Sequence, residues 1–253
     1  MRSLQPIGQG YEKETARLLI RQEPISYREA WHMQQTFWSE RWTNQRPDTL
    51  LLLQHDPVFT LGRSTSAQHI PHGEMTLRNS GAAVERTNRG GSITYHAPGQ
   101  LVGYPIVKLG RVASGPREYV WLLEEVLIRT LALWGIAGHR LNGKPGVFVR
   151  VEDRECKIAS IGIRVDRGVT LHGFALNVDL DLLPFSTIVP CGLEDYPAIS
   201  MAVMHVDPIS VDRVAESVAD LFAELFQVAW DDREPRPYRP TPDGLSVASI
   251  KED

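Results

Sequence analysis

Apolar and polar residues follow one another along this chain with two periods, near 3.6 in some stretches and 2 in others, and the alternation of the two sets out the elements. After Ser26-Tyr27-Arg28-Glu29, which has the form of a capping box, Tyr27, Trp31, Trp38 and Trp42 recur at helical spacing and predict an amphipathic helix with its tryptophans in the core. Thr49 to Leu53 is an apolar run ended by His55-Asp56-Pro57, and Val58-Phe59-Thr60-Leu61 is a second, so two strands separated by a turn are expected. Ala82-Ala83-Val84, Ser92 to Tyr95 and Leu101 to Tyr104 read as further strands joined by Gly90-Gly91 and Ala97-Pro98-Gly99. Pro116 suits the first turn of a helix whose apolar stripe is Val120, Leu123, Leu127, Leu131 and Trp134 and which Gly135 can close. Val147 to Val151, Lys157 to Val165 and Val169 to Val178 alternate with turns at Glu152-Asp153 and Asp166-Arg167-Gly168, the pattern of an antiparallel meander. Ser210 caps a last helix with Val214, Val218, Leu221, Phe222 and Leu225 on one face. The expected fold class is α+β, a mixed β-sheet packed with helices. Residues 26–230 form a single domain, preceded by an N-terminal extension over 1–25 and followed by a loosely ordered tail over 231–253.

Composition adds exclusions. With 253 residues, 42% of them hydrophobic, the chain can bury a sizeable core. Met1-Arg2-Ser3-Leu4-Gln5-Pro6 lacks the apolar stretch of a signal peptide, and no run reaches the roughly 18 apolar residues of a membrane span, so a cytoplasmic location and no membrane contact are expected. Two cysteines make no disulfide framework, and no metal site is expected: His69 and His72, around Pro71 and Gly73, read as solvated loop residues. A net charge of −4 argues against nucleic acid as a partner.

Two residues carry candidate chemistry. Cys191 stands between Pro190 and Gly192; it reads either as a small buried hydrophobe or as a nucleophile, with Gly192 to Asp195 opening a turn whose N–H groups face the sulfur. Lys157 reads either as an edge lysine that discourages strand pairing or as the cation that favours a thiolate. Cys156, after a charged turn, is a packing residue. Gly90 and Gly91 leave room for a substrate to lie against the backbone; Arg89 and His96 read either as flanking it or as a surface-turn arginine and a histidine hydrogen-bonded within the domain, and Tyr95 and Phe174 as wall residues or, by default, as core packing. A thiol, a cation and a glycine-rich loop together suggest acyl transfer.

Five segments, taken in order, resemble those of octanoyltransferases: Arg89 to Gln100, Gly143 to Val147, Lys157 to Gly162, His172 to Asn177, and Pro190-Cys191-Gly192. The resemblance, which spans roughly residues 45 to 200, implies a biotin/lipoate protein ligase-like catalytic fold and transfer of an octanoyl group from acyl carrier protein to a specific lysine of a lipoyl domain, without ATP or another cofactor. It implies that Cys191 carries the acyl thioester and that Lys157 lowers its pKa; if the apolar setting of Ile158, Ala159 and Ile161 depresses the lysine's own pKa, Lys157 can then take a proton from the incoming amine. The substrate would be held by Arg89, Gly90, Gly91, Ser92, Ile93, Thr94, Tyr95 and His96, by Ser160, Ile161 and Gly162, and by Gly173, Phe174 and Ala175. Acceptors implied are the lipoyl domains of 2-oxoacid dehydrogenase complexes and the glycine cleavage H protein. Ala97 departs from the family's usual glycine, which matters only if the position requires positive φ. Two other readings stand beside this one: an ATP-dependent lipoate or biotin ligase without an acyl-enzyme, and a non-catalytic binder of an acidic carrier. Arg63, Arg78, Arg86 and Arg89 are expected to form a basic patch on which such a carrier docks.

Overall fold

A computed structural model describes residues 13–189, 195–204 and 208–231. In chain order the strands are β1 (Glu14–Ile20), β2 (Thr49–Leu53), β3 (Val58–Leu61), β4 (Ala83–Arg86), β5 (Ile93–His96), β6 (Gln100–Ile106), β7 (His139–Leu141), β8 (Lys144–Val151), β9 (Arg154–Asp166), β10 (Val169–Asn177) and β11 (Val228–Trp230). The α-helices are α1 (Tyr27–Trp42), α2 (Gly73–Asn79), α3 (Leu109–Val112), α4 (Pro116–Leu133), α5 (Met201–Met204) and α6 (Val211–Leu225). An eight-stranded sheet runs β11-β1-β2-β6-β10-β9-β8-β7, parallel at β11-β1-β2 and antiparallel from β2 onward. The expected meander is its β8-β9-β10 portion. A small sheet, β4-β3-β5, packs beside it.

The uninterrupted run Leu50 to Leu53 is explained by cover on both faces of the large sheet. Side chains alternate along a strand, so Leu50 and Leu52 join Leu123, Leu127, Val214, Val218 and Phe222 beneath α4 and α6, whereas Leu51 and Leu53 meet Ala30, Met33 and Phe37 of α1. Burying one such side chain contributes about 2 kcal/mol. The small sheet has its own core, in which Phe59, Leu61, Leu77, Ile93, Tyr95 and Phe185 cluster. Ser26 caps α1 as expected, its hydroxyl accepting from Glu29 N at 3.2 Å. Ser210 stands at the N-cap of α6 without a side-chain capping bond.

Three sequence expectations change. The tryptophans of α1 are not core: Tyr27, Ala30, Met33, Gln34, Phe37 and Arg41 are buried instead, and the tryptophan stripe lies roughly a quarter turn away. Trp31 stacks on His172 with ring centroids 5.0 Å apart, and Trp38 stacks on Trp42, which carries Arg167 over its ring. Those indoles cover the β9–β10 turn, where Trp38 Nε1 donates to Asp166 O. Glu14–Ile20, read as part of an extension, is a strand between β11 and β2 in the large sheet. His69 is no solvated loop residue: its Nδ1 accepts from Ser92 Oγ and from Ser66 N.

Candidate active site

The glycine-rich loop before β5 is held by a buried cation. Arg89, 9% exposed, donates from Nη2 to Thr60 O (2.6 Å) and Thr60 Oγ1 (2.9 Å), and from Nη1 to Gly90 O (3.1 Å). Gly90 N donates to Ile163 O, which sews the loop to β9. That approach is close enough that a Cβ on Gly162 would stand 2.8 Å from the Gly90 carbonyl oxygen. Gly91 has φ +83°, a conformation that L side chains resist.

From Thr60 a chain of buried polar groups crosses both sheets. His96 Nδ1–H donates to Gln100 Oε1 at 2.7 Å, so Nε2 is the acceptor for the Thr60 hydroxyl at 3.2 Å. Gln100 Nε2 donates to Asn177 Oδ1, and Asn177 Nδ2 donates to Ile199 O. Ile199 N in turn donates to Lys157 O, while Lys157 N donates to Pro197 O. Residues 197 to 199 therefore run along β9 beside Lys157. On the far side of residues 190–194, Val189 N donates to His69 O. Cys191 itself lies outside the described residues, as do Gly192, Leu193 and Glu194 of the expected N–H turn.

Lys157 is 6% exposed, on β9, with Cys156 buried on the opposite face of the strand. Its ammonium donates to Pro145 O at 3.0 Å and lies over the Phe148 ring at 5.3 Å. Among the described residues it meets no carboxylate in these contacts, so its charge faces a neutral carbonyl and a ring.

These segments enclose a cavity of about 310 Å³, at the lower end of the roughly 300 to 1,000 Å³ usual for small-molecule sites. Twelve of the expected site residues line it: Arg89, Gly90, Gly91, Thr94, His96, Lys157, Ser160, Ile161, Gly162, Gly173, Phe174 and Ala175. Ser92, Ile93 and Tyr95 do not. Side chains alternate along β5, so Thr94 and His96 face the cavity while Ile93 and Tyr95 point into the small sheet's core, with Tyr95 against Phe59 and Phe185. Ser92 binds His69. Sequence reasoning did not single out Tyr27, Val102, Tyr104, Val120, Pro145 or His172 as cavity walls. A signal existed for Thr60, a polar residue inside an apolar strand run, and for Gln100 and Asn177, which end two of the quoted segments. Ala97 is not among the residues with positive φ, so its methyl group strains nothing.

His96 and His172 of the wall, and His55 packed against His96 behind it, are imidazoles that stay neutral. Burial drives His55 down to about 4, His96 well below the ordinary histidine value, and His172 to about 3, with the Arg89 charge a further cause at His172. Burial likewise raises Tyr27 to about 12 and lifts Tyr104, whose hydroxyl lies 2.7 Å from His55 Nε2. The expected arginine patch does not form as drawn. Arg78 and Arg86 both bind Glu74 at 2.7 Å, and Arg89 is buried under the loop, leaving Arg63 exposed. A second cleft shares Val120, Gly143, Lys144, Pro145 and Ile163 with the cavity and carries Arg117 and Lys144.

Residues 26–223 match the family described as the lipoyl protein ligase A/B catalytic domain. The chain belongs to that family. An octanoyltransferase of Chloroflexus aggregans is 48% identical over 203 residues, covering 78% of this chain and 91% of that relative. One from Mycobacterium avium is 45% identical over 229 residues, covering 89% and 91%. The family member described here is thus an acyltransferase of the octanoyltransferase group. In fold it is similar to a bipartite lipoate protein ligase from Thermoplasma acidophilum (TM-score 0.66, 17% identity, 89% of this chain and 88% of that one). A lipoate-protein ligase A bound with ATP gives TM-score 0.60 at 18% identity, covering 87% and 90%. The ligase-like α+β fold expected from the octanoyltransferase motifs is the observed one.

Proposed function

We propose that this octanoyltransferase takes its octanoyl group from an acyl carrier protein thioester, holds it on Cys191, and delivers it to a lysine of a lipoyl domain. The observation that carries the reading is the convergence of four of the quoted segments, those that begin at Arg89, Gly143, Lys157 and His172, on one cavity. The chemistry follows from the parts. Only a thiolate attacks, and a cation nearby favours it over the thiol. The Lys157 ammonium, held by the Pro145 carbonyl and bound to no carboxylate among the described residues, serves that purpose. Attack on the thioester carbonyl forms the Cys191 acyl thioester and expels the carrier's thiolate, which takes up the proton of the Lys157 ammonium and leaves that amine neutral. The acceptor amine, losing a proton to Lys157 in its neutral form, then attacks the acyl carbonyl, and the Cys191 thiolate leaves. The apolar lining of Val102, Ile161, Phe174 and Ala175 suits an acyl chain. We read residues from Glu14 onward as one catalytic unit, because β1 joins the sheet that bears the site.

Intact-mass measurement after incubation with an octanoyl carrier thioester tests the reading. The expected result is an octanoyl adduct that hydroxylamine removes and that Cys191→Ser lacks. Transfer without any adduct, or dependent on ATP with pyrophosphate release, would replace it with the ligase route.

A further inference from the structure

Helix α4 carries a buried acid that nothing so far assigned explains. Glu124 lies one turn beyond Val120, a wall of the cavity, and is only 7% exposed. Its Oε1 accepts from Gly146 N at 3.0 Å and its Oε2 accepts from Arg140 Nε at 3.0 Å. We propose that Glu124 is a positioning residue for Lys157, acting through the Gly146 peptide; this rests on the reading that Lys157 sets the state of the Cys191 thiol.

The linkage is short. Gly146 has φ +124°, and a Cβ there would stand 2.4 Å from Ala159 O and 2.8 Å from Lys157 Cε, so the β8 backbone presses directly on the lysine's stem. The residue before it, Pro145, supplies the carbonyl that holds the ammonium. Gly146 and Val147 pair with Ser160 and Ala159 before the β8–β9 register shifts at Phe148, so on this side the ladder grips the Pro145–Gly146 peptide over only two pairs. The Glu124 carboxylate fixes it from the other side by engaging the Gly146 N–H. Its own charge is balanced by Arg140 and reaches Lys157 only across that peptide, so the lysine is oriented without being neutralised. An N–H acceptor that ended in a salt bridge to Lys157 itself would orient the ammonium and cancel its effect on a thiol.

The test reads the thiol directly, as the pH midpoint of Cys191 alkylation, beside steady-state kinetics and thermal unfolding. Glu124→Ala is expected to raise that midpoint by on the order of one unit toward the ordinary cysteine value near 8.5 and to lower kcat about tenfold, with KM for the octanoyl donor within about twofold of wild type. Glu124→Asp keeps the charge but is one methylene short of Gly146 N–H; it should move the midpoint the same way, and it decides the matter if the alanine variant does not fold. Arg140→Lys keeps the Gly146 bond and a positive charge beside Glu124 and should leave the midpoint where it was. If Glu124→Ala or Glu124→Asp lowers the unfolding temperature while the midpoint stays at the wild-type value, Glu124 is structural only and the inference fails. If Lys157→Met also fails to move the midpoint, the pairing of Lys157 with Cys191 fails first, and the role of Glu124 with it.

Discussion

At the scale of single residues, the site is made of polar groups buried deeply enough to change their chemistry. His96 and His172 line the cavity and His55 packs behind His96, all three as neutral imidazoles with specific partners: Gln100 and Thr60 for His96, Asn88 for His172, Tyr104 and Ile25 O for His55. A histidine whose folded pKa lies below its unfolded value costs nothing above about pH 6.5, where both states are neutral. Below that the unfolded chain binds the proton and the folded one does not, so stability drains away as pH falls toward about 4 for His55 and about 3 for His172. Each such group withdraws about 1.4 kcal/mol per pH unit inside its window. Thermal unfolding followed between pH 7.5 and 4.5 should therefore show a steep fall beginning near 6.5, and His55→Gln should make that fall shallower. An unfolding temperature that is flat down to pH 5 would mean these imidazoles are solvated and protonated in the folded state.

At the scale of elements, what could be read in the sequence was whatever a local pattern dictates. The period-2 runs from Val147 to Val178 gave the β8-β9-β10 meander, and Pro116 with Gly135, whose φ is +72°, bracketed α4. The alternation along β5 could have separated Thr94 and His96 from Ile93 and Tyr95, but a motif taken as a continuous block hid it. What could not be read was set by partners distant in sequence. β1 is a strand because β2 and β11 flank it, and the polar chain from Thr60 to Ile199 exists because β3, β5, β6 and β10 end together. That chain makes a prediction for the segment it holds. Asn177→Ala leaves Ile199 O and Gln100 Nε2 each short of a buried partner, a cost of about 1 to 3 kcal/mol per unsatisfied group. Amide exchange in a peptide covering residues 197–201 should accelerate well beyond exchange in α4. Equal acceleration in both would show global destabilisation, and no change would show that the β9 ladder alone holds the segment.

At the scale of the whole molecule, charge decides how a protein donor reaches the cavity. The chain carries a net −4, so an acidic carrier is repelled at long range and needs a local cationic surface. Two of the arginines expected to supply it are spent on Glu74 and a third is buried, whereas Arg117 and Lys144 line a cleft that shares five walls with the cavity. We place the carrier's approach there. Net repulsion and local attraction respond to salt with opposite sign, and the Debye length, about 8 Å at physiological ionic strength, decides between them. Contacts at the cleft fall within that distance in the docked complex and the distributed negative charge does not, so local attraction wins. The KM for a carrier thioester should then rise with salt, and Arg117→Ala with Lys144→Ala should raise it at low salt and flatten its salt dependence. An uncharged octanoyl thioester of small size should show neither effect. A carrier KM that falls as salt is added would mean that net repulsion governs the encounter and that the cleft does not receive the carrier.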